Sequence, residues 1–301
     1  MKIGTFKDID VEKSNHMILI YDCTNGNPNG DPDNENRPRQ LLDGRLCVTD
    51  VSLKYDIKQR IFAECSNIDG NVEEGYDLLI KPGSVLNTIV DDEKKLFTQK
   101  DYTEAQIAAK AMKNICKKFA DVRMFGCVLS NGNLTGPIQV SGAYSQDCAD
   151  IDDRTITSQA VRTPEQFKKH SGTMGKKHVT PYALFVVHVA FSATNARKTG
   201  MTTKDLQIAI LSMKNMFSQY KTSKGVREIQ KLTVFQSNDH RACGSPELFK
   251  NCFEIVKKSN NIITNFEKIT DYEKECNEMY PKGKHIEITA IKIVDQSRTQ
   301  S

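Results

Sequence analysis

The 301-residue chain has no run near the roughly 18 consecutive apolar residues that a membrane-spanning helix needs. Its N-terminus lacks the apolar core of a secretory signal, so a cytoplasmic protein with no membrane partner is expected. The nine cysteines include no C-x-x-C pair. An odd count without that spacing fits reduced, mostly buried thiols rather than a disulfide framework or a zinc site. There is no Walker-type phosphate loop and no G-x-S-x-G elbow. The six histidines are scattered, and His188 falls in an apolar run where packing is expected. Familiar enzyme classes find no support, and a non-catalytic protein without cofactor or metal is expected. No internal repeat or low-complexity tract breaks the chain.

What is present is a soluble composition, 38% hydrophobic with mean hydropathy −0.50. The net charge of +4 is mild, but its distribution is sided. Residues 64–104 carry ten acidic and four basic side chains. Residues 154–178 carry six basic ones against Glu165 alone, and residues 197–231 carry eight against Asp205 and Glu228. Two basic segments and one acidic segment give a polar molecule of sided charge, for which solvated faces are the default reading.

The chain is organised around residues 16–61. Met17-Ile18-Leu19-Ile20-Tyr21 reads as a buried strand. Asn25 to Asn36 follows as a long run of turn formers, in which Gly supplies positive φ, Pro fixes φ, and Asn and Asp bond their own backbone. Thr49 or Asp50 then caps a helix carrying Val51, Lys54, Tyr55, Lys58 and Ile61. A loop this long between rigid elements is a functional candidate. Residues 66–101 read as an acidic insertion. A helix spans about Thr103 to Phe119, with Ile107, Ala111, Ile115 and Phe119 on one face. Residues 138–144 alternate as a strand. From Ser145 to Thr180 apolar content collapses, which predicts disorder or a projecting arm. Tyr182–Phe191 reads as a central strand. Helices are expected after Thr202 or Thr203, and after Ser245 with Val256 inward, and strands at Leu232–Phe235 and Ile286–Val294. This order suits an α+β body with an antiparallel sheet, a split βαβ core with two insertions.

Asn25-x-Asn27-x-Asn29-Gly30 copies the first half of a calcium loop, but its ligands are neutral amides and Asn36 stands where the bidentate Glu belongs. Asp31 and Asp33 could hold a catalytic magnesium ion, but neither has a His or Lys partner nearby in sequence, and carboxylates in an Asn/Pro/Gly loop most often cap turns. Lys54 and Lys58, four residues apart on a helix and opposite its apolar face, are preceded by Arg37, Arg39 and Arg45. A helix start beside such a cluster attracts phosphate through its backbone N–H groups and cations. In the arm, Met174 beside Gly175, Lys176 and Lys177 suits a wedge between bases with lysines on phosphate.

Several stretches together resemble one family. They are Asn25–Arg39, Val48–Lys54, Val122–Gly126, Gly136–Ser141, Arg154–Thr157, Gly172–Lys176 and Pro181–Leu184, in order through the chain to about residue 256. The chain resembles the hand-shaped backbone subunit of type I-C CRISPR surveillance complexes (Cascade), in the repeat-associated mysterious protein superfamily. The resemblance implies an RRM/ferredoxin-like palm (1–65, 102–146 and 181–301), a helical finger (66–101) and a β-hairpin thumb (147–180). It implies copies stacked as a helical filament along CRISPR RNA, pairing of guide with a target DNA strand, a handle-capping subunit and a large subunit. Expected RNA contacts are Asn25, Arg37, Arg39, Arg45, Ser52, Lys54, Lys58, Arg123, Gln139, Ser141, Arg154, Arg162, Met174, Lys176 and Lys177. Lys54 is similar to the family's guide-binding lysine. Aromatic stacking on the sheet is not expected to be the main grip. Related type III subunits cut RNA with an aspartate in the loop after the first strand. The alternative is therefore a metal-dependent ribonuclease using Asp31 or Asp33.

Overall fold

The computed structural model describes residues 9–98, 102–129, 132–158, 173–218, 222–237 and 240, and the backbone of strands at 254–258, 261–265 and 288–293. The long strand β1 (Asn15–Gly26) is followed by the two-residue strands β2 (Gly30–Asp31) and β3 (Arg37–Pro38), then β4 (Arg45–Val48). Four helices come next: α1 (Asp50–Glu64), α2 (Leu86–Lys95), α3 (Glu104–Lys118) and α4 (Ala120–Phe125). Strands β5 (Gly126–Leu129), β6 (Gly132–Thr135), β7 (Ile138–Val140), β8 (Ala143–Cys148), β9 (Asp152–Ser158) and β10 (Thr173–Phe191) lead to helices α5 (Ala193–Thr199) and α6 (Thr203–Asn215). Strands β11 (Val226–Ser237), β12 (Glu254–Lys258), β13 (Asn261–Asn265) and β14 (Ile288–Ile293) complete the described elements.

The main sheet is antiparallel in the order β14-β11-β1-β10-β8-β4, and β7 and β9 also pair with β10. Taken with α1 and α6, strands β1, β8, β10 and β11 follow the β-α-β-β-α-β order of a split βαβ fold. An α+β palm-like body is thus what the chain forms. Met17, Leu19, Tyr21 and Cys23 of β1 face a core with Leu53, Ile57 and Ile61 of α1 and Leu206, Ile210 and Met213 of α6. The alternate residues Ile18 and Ile20 are buried too, at 3% and 1% exposure. That explains why β1 reads as a continuous apolar run rather than an alternation. Tyr21 stacks on Phe185 and meets Phe217 edge-on, each at 5.0 Å between ring centres.

A second small core joins Leu79 and Val90 to Ile115, Cys116, Val122, Cys127 and Leu129. Asp121 ties it together, accepting from the backbone of Leu79, Ile80 and Val122 at 2.9–3.0 Å. The acidic insertion therefore carries helix α2, seated on α3. Thr103 and Gln106 close a reciprocal capping box at the start of α3, the boundary its sequence predicts.

Two expectations are corrected, the unbroken 138–144 strand and the helix reaching Val256, and two others gain detail. Val51 and Tyr55 of α1 are exposed, at 70% and 42%, and the inward residues are Leu53, Asp56, Ile57 and Ile61. The 138–144 strand breaks at Ser141-Gly142, where β7 hands over to β8 on the same edge of β10. Of the two readings of the low-apolar 145–180 segment, disorder or an arm, the described residues take the arm. β8 continues to Cys148, and β9 pairs with the first third of β10, from Thr173↔Ser158 to Val179↔Asp152. Backbone hydrogen bonds of a hairpin replace the missing apolar burial there. Val256 lies in strand β12, paired with Ile263, and not on a helix; the expected start of that helix at Ser245 falls outside the described residues. Leu232–Phe235 and Ile286–Val294 are met by β11 and β14.

Candidate nucleic-acid interface

The turn formers after β1 fold back on themselves. β2 and β3 pair Gly30↔Pro38 and Asp31↔Arg37. Glu35 and Asn36 close this small hairpin with φ of +47° and +59°, a conformation that Asn tolerates better than most residues. Asp31 is the turn's anchor. Its carbonyl accepts from the N–H of Asn34 (3.1 Å) and Asn36 (2.9 Å), its carboxylate accepts from the Asp33 N–H (3.3 Å), and Arg39 lies 3.4 Å away. Asp31 therefore caps the turn, and Asp33 is exposed on it, tied in through its backbone N–H. Among the described residues no group of three or more His, Cys, Asp or Glu is placed to hold a metal ion.

The loop is stitched to α1 at one point and to the hairpin arm at three. Asn29 Oδ1 accepts from the backbone N–H (2.9 Å) and hydroxyl (3.1 Å) of Thr49, whose own Oγ1 caps Ser52 N–H. On the other side Arg37 pairs with Asp153, Lys176 reaches Glu35 at 3.3 Å, and Arg154 reaches Asn25 at 3.4 Å. Asp153 also meets His178 Nδ1 at 2.6 Å. The His178 hydrogen bond, followed by the charges of Arg37, His178 and Lys176, outweighs desolvation and holds the Asp153 carboxyl below its usual range. The start of α1, the Asn/Pro/Asp loop and the base of the β9–β10 arm thus form one continuous, charge-rich surface.

Its cations are lightly held. Lys54 Nζ lies 3.0 Å from Asp50, one turn away, with both side chains partly exposed. Arg45 pairs with Asp43 at 2.7 Å, Arg154 with Asp152 at 3.0 Å. Exposed pairs of this kind contribute about 0–1 kcal/mol. A phosphate can therefore displace the carboxylate at little cost, and a charge-assisted bond to a phosphate oxygen is worth more. Lys177 is half-buried and Gln139 exposed, with Gln139 Nε2 donating to Gly136 at 2.8 Å.

Three expected contacts sit elsewhere. Lys58 is not on a solvated face. Its side chain is 12% exposed and points at buried Asp121, 3.9 Å away, and desolvation lowers its pKa despite that carboxylate. Arg123 is interior. Its guanidinium donates to both Asp205 oxygens (2.9 and 3.1 Å) and to the carbonyls of Gly75, Cys116 and Lys117. All three guanidinium nitrogens are thereby engaged in joining α3, α4 and α6. Ser141 is consumed in the β7–β8 handover, its N–H donating to the His188 carbonyl while its Oγ accepts from the His188 N–H at 3.0 Å. Met174 is placed by backbone alone, opposite Thr157 in the arm. Arg162 lies outside the described residues.

A family model described as CRISPR-associated protein Cas7 matches residues 13–277. The chain belongs to the Cas7 family. A comparison with curated proteins finds no match. Among solved structures, a chain of a "CRISPR RNA-guided surveillance complex, pre-nicking" superposes with TM-score 0.55 at 11% identity, covering 94% of this chain and 93% of that one. A chain of another "CRISPR RNA-guided surveillance complex" gives TM-score 0.53 at 12% identity, covering 94% and 90%. These similarities show a fold shared with those chains across nearly the whole length of this one.

Within this Cas7 body the sequence reading missed one neighbour of α1. The basic count of 197–231 signalled the segment, but nothing local singled out Lys224. The structure places its Nζ 3.2 Å from Ser52 Oγ, 172 residues away in sequence.

Proposed function

We propose that this Cas7-family chain is a non-catalytic backbone subunit of a type I-C Cascade, binding CRISPR RNA through its phosphates. The observation that carries the reading is the family match over residues 13–277, joined to a helix start, loop and hairpin arm whose cations pair with partly or fully exposed carboxylates. Phosphate contacts of this kind position a strand without reading its sequence, leaving recognition to pairing between guide and target DNA strand. In this reading the palm comprises 1–65, 102–146 and 181–301, the finger 66–101 and the thumb 147–180. Copies stack as a helical filament along the RNA, each thumb with Met174, Lys176 and Lys177 folding over its neighbour's guide segment. A handle-capping subunit and a large subunit complete the assembly in the cytoplasm.

The test is RNA binding by the full chain. Lys54→Glu is expected to weaken binding of guide-length RNA at least tenfold, by like-charge repulsion added to a lost contact. Asp31→Ala with Asp33→Ala is expected to leave binding intact, with no RNA cleaved by wild type or variant when magnesium is supplied. Cleavage that vanishes in the double variant would establish the ribonuclease reading instead.

A further inference from the structure

We infer that copies of this chain join head to tail, the Leu42 turn of one copy seating in a cleft at the opposite end of the next; this rests on the stacking of copies proposed above. The cleft, of about 750 Å³, opens between α3, residues 73–76 and the corner where α5 meets α6. Tyr76, Met112 and Leu134 line it with apolar surface. Its charged lining is basic on balance. Glu73 is matched by Lys204, and Arg197 by Glu12, in exposed pairs, while Arg123 and Asp205 neutralise each other as a buried one. Lys113, Lys117 and Lys198, all exposed, then stand against Glu74. An apolar side chain carried beside a carboxylate suits such a cleft.

The turn between β3 and β4 offers that combination. Leu42 is fully exposed at its tip, yet the backbone around it is fixed. The Leu41 N–H donates to the Arg45 carbonyl at 2.7 Å, the Gly44 N–H to the Leu41 carbonyl at 3.0 Å, and the Ala149 N–H to the Gly44 carbonyl at 3.2 Å. Gly44 takes φ of +82° to close the turn, and the Gln40 amide donates to the Gly44 carbonyl at 2.9 Å. A lone exposed leucine is ordinary, but one on a locked turn loses little conformational freedom when it is bound. Asp43 pairs with Arg45, and exposed Asp150, next to the bonded Ala149, adds a carboxylate of the sign the cleft attracts.

The two features lie at opposite ends of the sheet. Helix α5 starts just after Phe191 of β10, which pairs with Asn15 at the beginning of β1. Tyr144 of β8 is level with Val186, and through it with Ile20. Strand β8 runs the same way as β1, so Ala149 and the turn bonded to it stand level with the last residues of β1. About ten residues of strand, roughly 33 Å, separate the two levels. Patches so placed cannot meet reciprocally. Their contact is heterologous and repeats from copy to copy, each offering one tip and one cleft.

The experiment is sedimentation velocity of the full chain over a concentration series, with and without guide-length single-stranded RNA. It compares wild type, Leu42→Gln, the double variant Lys113→Glu with Lys117→Glu, and an equal mixture of the two variants. Wild type is expected to form chains of several copies. Either variant alone should associate about tenfold more weakly or worse. The mixture should form pairs, because one variant keeps its cleft and the other its tip. All three substituted residues are exposed, so melting temperatures should match wild type. Variants that assemble as wild type does would overturn the inference, as would a mixture no more associated than its parts. Binding of an RNA too short for two copies separates this from the RNA reading: Leu42→Gln should bind it as wild type does. A wild type that forms chains and binds neither RNA would remove the RNA-binding reading and keep the contact.

Discussion

Replacing Arg123 by Ala is expected to damage the fold and spare the proposed RNA surface. Its side chain is 8% exposed and Asp205 2%, and the pair is bidentate. Three backbone carbonyls also accept from it, at 2.7–3.3 Å, and Tyr76 stacks its ring 5.3 Å from the guanidinium. Removing one partner of a buried pair strands the other, at about 3–5 kcal/mol. At about 2–4 °C per kcal/mol for domains of this general size, the melting temperature falls by roughly 10 °C. Lys in its place keeps the charge but not the planar fork, so Arg123→Lys should melt between the two. The loss is pH-dependent. Burial raises the Asp205 carboxyl, but hydrogen bonds and charge from Arg123, with bonds from Thr202, outweigh it and hold the group below its ordinary value. A carboxylate lowered on folding stabilises above its unfolded pKa, about 3.9, and loses that stability as pH falls through the folded value. The gap between wild type and Arg123→Ala should therefore be full near neutrality and close in acid below about pH 4. Calorimetry across pH, beside RNA titrations well below the melting point, checks both claims. An Arg123→Ala protein that melts like wild type yet binds RNA weakly would refute the reasoning.

Other expectations follow from single contacts. Thr49→Ala removes the α1 cap and its bond to Asn29, and should lower stability by about 1 kcal/mol in chemical denaturation. Gly225→Ala forces a Cβ to within 2.4 Å of the Gly26 Cα at positive φ, and should destabilise by about 1–3 kcal/mol. If instead it unfolds at the wild-type denaturant midpoint, the close approach of those two backbones is wrong. Lys176→Glu with Lys177→Glu should leave the melting temperature within about 2 °C of wild type, because the Lys176–Glu35 pair is exposed, while RNA binding drops.

Much of this was legible in the chain. Periodicity located α3 and α6, and their starts fell within a residue of the capping boxes at Thr103 and Thr202, because cap chemistry is local. The central position of Tyr182–Phe191 followed from its unbroken apolar run. What was not legible depended on long-range partners. Nothing near Arg123 in sequence announces Asp205, 82 positions away, so a basic residue in a family motif read as an RNA contact. Lys58 was misplaced for the same reason, its partner Asp121 being supplied by a different helix. Ser145–Thr180 read as coreless because a β-hairpin is held by backbone bonds that side-chain composition does not encode. The loop and the arm were each recognised, but their junction through Arg37–Asp153 and Lys176–Glu35 appears only in three dimensions.

The most direct test of the central claim is purification of the chain co-expressed with a CRISPR array, reading the ratio of absorbance at nucleic-acid and protein wavelengths and the size of particle and RNA. The account predicts a particle of several copies holding one RNA of guide length. A monomer free of nucleic acid, with the array transcribed, would contradict it.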